Sequence, residues 1–177
     1  LSLCAACGVG GLDNRPLGTG AVTGIATECD SGGVIGLVGD SEVRDVPNAA
    51  DGSCTFRVEG LLPGTHQLYV APTGKKVALV SAEVQATLLT DVGDVVGLPG
   101  AFAKVRVSAP MGTDVSGMVL APDLPIVSTA VGRSGMARIG PFPEGCFLVE
   151  VSLTGVGKKS VTSCMTAGEE QSLDVAF

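Results

Sequence analysis

Tryptophan is absent from this chain of 177 residues, which holds a single tyrosine, Tyr69, and a single histidine, His66. Sugar-binding faces stack aromatic rings on pyranose rings, and Tyr69 alone makes that mode weak. A Ser-His-Asp triad could be built only around His66, and no Gly-x-Ser-x-Gly elbow is present. Charged residues make up 16% of the chain, and long Ala/Leu/Glu/Lys stretches at helical spacing are missing. No apolar run reaches the roughly 18 residues that span a bilayer. Lys and Arg are few and scattered. The formal charge of −7 repels phosphate, which argues against nucleic acid as a partner. A complete secretory signal is missing as well, because neither a charged n-region nor an apolar h-region is seen. The first residue is Leu1 rather than Met, as expected of a processed or trimmed chain.

What is present is glycine (26 residues), frequent valine and six cysteines. Short strands joined by Gly- and Pro-bearing turns fit this composition. The chain also repeats itself. Ser53–Thr73 aligns with Ser134–Thr154 without a gap at an offset of 81. Ser53, Arg57, Gly64, Val70 and Thr73 meet identical residues, and Val58 meets Ile139. Both stretches lead into a Gly and a Lys-Lys pair, Lys75-Lys76 and Lys158-Lys159. The period predicts two small domains in tandem. Residues 1–18 read as an arm or linker, 19–98 as the first domain and 99–177 as the second, with the boundary at Pro99-Gly100.

Strand alternation in the first domain predicts Ala21–Cys29, with Val22 near its start and Ile25 in its middle. Val34–Val38, Cys54–Val58, Lys76–Ala86 and Leu88–Val96 follow, and 40–52 reads as a loop. After the Leu61-Leu62-Pro63-Gly64 corner, His66, Leu68 and Val70 face one way, and Thr65, Gln67 and Tyr69 the other. Pro63 fixes φ and Gly64 can take positive φ, so the chain turns sharply there. In the second domain the expected strands are Ala103–Ser108, Gly117–Leu120, Ile126–Val131, Met136–Ile139, Phe147–Leu153, Ser160–Met165 and Gln171–Phe177. Almost no helix is expected.

These motifs carry a resemblance. Asp51-Gly52, Cys54-Thr55-Phe56, Gly60-Leu61-Leu62-Pro63-Gly64 and His66-Gln67-Leu68-Tyr69-Val70 resemble the carboxypeptidase-regulatory-like, prealbumin-like (transthyretin-like) domains of secreted bacterial proteins. Ala167–Phe177 looks like the final strand of that family. His66 stands where the family usually has an aromatic, and Phe147 keeps one in the second copy. Arg133-Ser134-Gly135 replaces the Asp-Gly pair there. The resemblance implies an all-β chain of two tandem immunoglobulin-like or prealbumin-like β-sandwiches of about seven strands each, usually an accessory module.

Paired cysteines point to an oxidising compartment. Six cysteines permit fifteen pairings, but locality narrows them: Cys29 with Cys54, and Cys146 with Cys164. If Phe147, Val149, Val151 and Leu153 face the core, Cys146 faces outward. Cys164 does so too, because Val161 and Met165 face in. A cross-strand bridge then needs Cα atoms about 4.4–6.8 Å apart. Each bridge closes about 20 residues and contributes about 3 kcal/mol. Four buried reduced thiols are the alternative. Cys4-Ala-Ala-Cys7 lacks the helix and the ligands of a redox or metal site. Leu3-Cys4-Ala5-Ala6-Cys7-Gly8 resembles a lipoprotein cleavage site, and a local or intermolecular disulfide in the arm is the other reading.

Asp91, Asp94 and Glu169-Glu170 match no calcium loop. Gly8-Val9-Gly10-Gly11 has neither the helix nor the Lys of a phosphate loop. No catalytic, cofactor or metal residue is expected. The expected role is a non-enzymatic extracellular structural protein. It would be a subunit of a cell-surface assembly or fibre that self-associates through the arm. The alternative is a lipid-anchored surface module, with an outer membrane among its candidate locations, whose loops bind protein or glycan.

Overall fold

A computed structural model describes residues 18–29, 33–39, 44–45, 54–126 and 128–177. All regular structure among them is β. The strands of the first half are β1 (Gly20–Ala26), β2 (Val34–Leu37), β3 (Arg44–Asp45), β4 (Thr55–Leu61), β5 (Gly64–Thr73), β6 (Lys76–Val84) and β7 (Leu89–Val95). A short strand, β8 (Leu98–Pro99), leads into the second half. There the strands are β9 (Ala101–Ser108), β10 (Gly117–Leu120), β11 (Thr129–Val131), β12 (Met136–Phe142), β13 (Gly145–Leu153), β14 (Gly157–Met165) and β15 (Glu170–Ala176).

The two halves share one topology. A three-stranded sheet, β4-β1-β7, faces a sheet ordered β3-β2-β5-β6-β8. In the second half β12-β9-β15 faces β11-β10-β13-β14. In both, the first and last strands of the three-stranded sheet run parallel, and the remaining pairs are antiparallel. The fold is therefore two tandem β-sandwiches of seven strands, with β8 as an added edge strand. The repeat continues well beyond the similar segment: β4 and β12, β6 and β14, and β7 and β15 begin and end 81 residues apart.

Core residues explain how one backbone accepts two sequences. Gly24 pairs with Phe56, and a Cβ on Gly24 would lie 2.6 Å from the Phe56 ring. The matching pair in the second sandwich is Val105 with Ala137. The bulk has moved from one strand to its neighbour, which keeps the packed volume close to constant. The corner glycines also match, with φ of +137° at Gly64 and +140° at Gly145.

Several expectations need correction. The first strand is Gly20–Ala26 rather than Ala21–Cys29, and Ile25 lies on its outer face, 45% exposed. Arg44–Asp45 pairs with β2, inside the stretch read as a loop. Residues 1–17, including Cys4, Cys7 and the Gly8–Gly11 run, lie outside the described residues. Leu98 and Pro99, read as the domain boundary, pair with Val77 and Lys76 on the β6 edge and so belong to the first sheet.

Candidate functional site

The sandwiches meet on the outer face of β2, β5 and β6. Alternation along β5 sends Leu68 and Val70 into the first core and Tyr69 and Ala71 to the opposite face. That face is not solvent. Tyr69 is 0% exposed and, with Ala71 and Val77, joins the buried cluster of the second sandwich. Ala101, Leu124 and Phe142 belong to the same cluster, and Val34 and Val38 pack against it. The parity expected for Tyr69 holds.

Polar groups in this junction are paired. The Tyr69 hydroxyl donates to the Pro141 carbonyl at 2.6 Å. Gly39 N donates to Asp123 O at 3.0 Å, and Gly100 N to Lys75 O at 2.8 Å. No described buried side-chain nitrogen or oxygen lacks a partner. Burial raises the Tyr69 phenol well above its ordinary value, because the interior disfavours the phenolate. At Gly100, a Cβ would come within 2.3 Å of Pro141 Cβ, so the linker needs glycine to lie this close.

At the opposite end of the first sandwich is an open cleft of about 560 Å³, lined by Gly20, Ala21, Arg57, Glu59 and Leu88 among others. Arg57 pairs with Glu59 at 2.6 Å across its exposed rim. The matching region of the second sandwich is narrower, a cavity of about 170 Å³ lined by Ala101, Glu169 and Glu170 among others. Phe102 stands in the place of Ala21, and Arg138 lies over its ring at 3.5 Å and pairs with Glu170 at 2.7 Å.

The cysteines named from the sequence form two bridges. Cys29 and Cys54 join the end of β1 to the start of β4, with Cα atoms 5.7 Å apart. Cys146 and Cys164 are direct cross-strand partners on the exposed outer face of the second sandwich. Their Cα atoms are 3.8 Å apart, closer than the span expected. The bridges are not equivalent: Thr65 and Glu83 stand where Cys146 and Cys164 would map.

His66 is half-buried, and its Nε2 donates to the Leu62 carbonyl at 2.7 Å. Asp91 accepts from Gly93 N at 2.9 Å within its own turn. Glu170 is held by Arg138, and Glu169 lends its carbonyl to Phe102 N. The structure thus scatters Asp91, Asp94, Glu169 and Glu170. Among the described residues no group of three His, Cys, Asp or Glu side chains is placed to hold a metal ion. No helix among them is long and apolar enough to cross a membrane. Reasoning from sequence missed the junction. Its signal was Tyr69, Ala71 and Val77 together on the face opposite Leu68 and Val70.

No family model matches the chain, and no curated protein matches it. Solved structures of similar arrangement include the TIE protein of Bacillus anthracis, at 12% identity and a TM-score of 0.35. This chain is covered over 90% of its length and spans 34% of that protein. A streptococcal ancillary pilin matches at 15% identity and a TM-score of 0.31, over 89% of this chain and 62% of its own. The minor pilin GBS52 of Streptococcus agalactiae matches at 11% identity and a TM-score of 0.36, over 89% of this chain and 94% of its own. Scores this low assign the chain neither a family nor a function.

Proposed function

We propose that this chain is a non-enzymatic structural subunit of an extracellular, cell-surface assembly or fibre, and that residues 1–18 mediate contacts between subunits. One observation carries this reading. The two sandwiches share a buried junction, with Tyr69 between them and a linker that is itself a strand of the first sheet, contacts that would hold the halves stiffly together. A load-bearing or stacking unit gains from such stiffness. Two bridges that staple strands within each half fit an oxidising, extracellular setting. The motifs around Gly64 and Gly145 support placing both halves among prealbumin-like, carboxypeptidase-regulatory-like modules.

Size-exclusion chromatography with light scattering, over a series of concentrations, tests the role. The full chain self-associates, and the chain lacking residues 1–18 stays monomeric. Equal behaviour of the two counts against the arm. The lipid-anchored reading rests on Leu3-Cys4-Ala5-Ala6-Cys7-Gly8. It requires a diacylglyceryl mass on Cys7 in native material.

A further inference from the structure

Resting on the subunit reading above, we propose that molecules join head to tail by repeating between chains the junction that each makes within itself. The segment preceding Gly18 of one molecule adds to the β14 edge of another, at Gly157-Lys158, as Leu98-Pro99 adds to the β6 edge at Lys76-Val77.

The first support is the path of the chain. Gly18 lies against Thr87 as Pro99 lies against Gly168, and each pair is 81 residues from the other. Ala21 N donates to Leu88 O at 3.0 Å, and Phe102 N to Glu169 O at 2.9 Å. The turns beside them match too, with Leu88 N to Gln85 O and Glu169 N to Thr166 O. The chain therefore enters both sandwiches from the same direction. In the second sandwich that direction leads back to the edge of a preceding β6. Among the described residues no sandwich precedes the first.

The second support is the fit at the next residue. Gly100 is forced to be glycine by Pro141. The counterpart of Gly100 is Thr19, and the counterpart of Pro141 is Gly60, where nothing lies within 4 Å of an added Cβ. Removing bulk at 60 makes room for it at 19, so the same docked geometry is open to the first sandwich.

The third is the pair of free surfaces. Among the described residues the β14 edge pairs on one side only, with β13, whereas β6 carries β8 at the matching place. An uncovered edge offers backbone donors and acceptors to an extended segment. Beside it the outer face holds Met118, 39% exposed, and half-buried Leu148, together with the Glu150–Lys158 ion pair, so the charge at the counterpart of Tyr69 is already paired. The free end of the first sandwich presents Leu62, 61% exposed, where its counterpart Pro143 is buried. A second copy of this chain supplies both halves of the contact. Because the two surfaces differ, the contact is heterologous and repeats from copy to copy.

The register gives the test. Leu98 pairs with Val77, so Leu17 of one molecule falls opposite Lys158 of another. The full chain carrying Leu17→Cys and Lys158→Cys is oxidised at rising concentration. Expected is a ladder of multimers whose peptide map joins positions 17 and 158 between chains. Leu17→Cys with Thr162→Cys, out of register on the same strand, serves as control and gives far less ladder. Light scattering of the unmodified chain runs alongside. If that chain associates and no 17–158 ladder forms, or the control cross-links equally, the head-to-tail junction is wrong and the subunit reading stands. If it does not associate at all, both fall.

Discussion

Tyr69 and Glu150 occupy the same place on the two sandwiches, 81 residues apart, and face opposite fates. Tyr69 is sealed beneath the second sandwich, whereas Glu150 faces outward and pairs with the exposed Lys158 at 2.9 Å. Two neighbouring positions change in the same direction. Ala71 corresponds to Ser152, and Val77 to Lys158. Strand parity puts each pair on the outer face. What then lies over that face decides whether it is apolar or polar, since burying an unpaired charge costs far more than burying a phenol with a hydrogen-bond partner. The first face is covered permanently. The second stands in water in the free molecule, so any contact there forms and dissolves with concentration.

The comparison can be broken by exchanging the residues. Tyr69→Glu places a carboxylate where only a carbonyl waits, and we expect a loss of about 3–5 kcal/mol in urea unfolding followed by circular dichroism. The mirror change, Glu150→Tyr, costs less than about 1 kcal/mol by the same measurement, because it removes only an exposed ion pair.

The bridges sharpen it next. Replacing Cys29 and Cys54 together by alanine lowers stability by about 3 kcal/mol through the larger entropy of the unfolded chain. Removing Cys146 and Cys164 costs slightly less. Their separation is 18 residues rather than 25, and both lie exposed, so no buried volume is lost with them. Calorimetry of the two variants ranks them. A smaller effect comes from Tyr69→Phe, which keeps the packing and leaves the Pro141 carbonyl without its donor. We expect about 1–2 kcal/mol, read as a lowered urea midpoint at unchanged slope. Smallest is Glu150→Gln, within about 0.5 kcal/mol, with no change in the midpoint's salt dependence beyond that of one exposed pair.

Much of the fold was legible because two signals agreed. The offset of 81, seen in one stretch of sequence, extends through β6 to β15 without a change of register. Alternation placed Leu68 and Val70 in the core, and Cys146 and Cys164 outside. Ile25 shows that apolarity alone does not mark the core, since an apolar residue can sit on the exposed face of a strand at modest cost. The junction stayed hidden for a different reason. Parity tells which way Tyr69 points and carries no information on what stands opposite, and its partner, the Pro141 carbonyl, lies 72 residues away. The β8 pairing was hidden as well, since two residues containing a proline read as a linker. The arm, with Cys4 and Cys7, was legible only as composition.

Tyr69 is the only tyrosine in a chain without tryptophan, so ultraviolet titration of its phenol reports on the junction alone. Burial raises the folded-state pKa above the ordinary value of 10.0. Its contribution to stability is therefore whole below that pH. It is lost as pH rises further, because the unfolded chain releases the proton and the folded one holds it. The expected result is no phenolate signal while the β circular-dichroism spectrum persists, then ionisation and unfolding together above pH 10. Phenolate appearing near pH 10 with the fold intact would mean that Tyr69 is open to water and that the sandwiches are not sealed together.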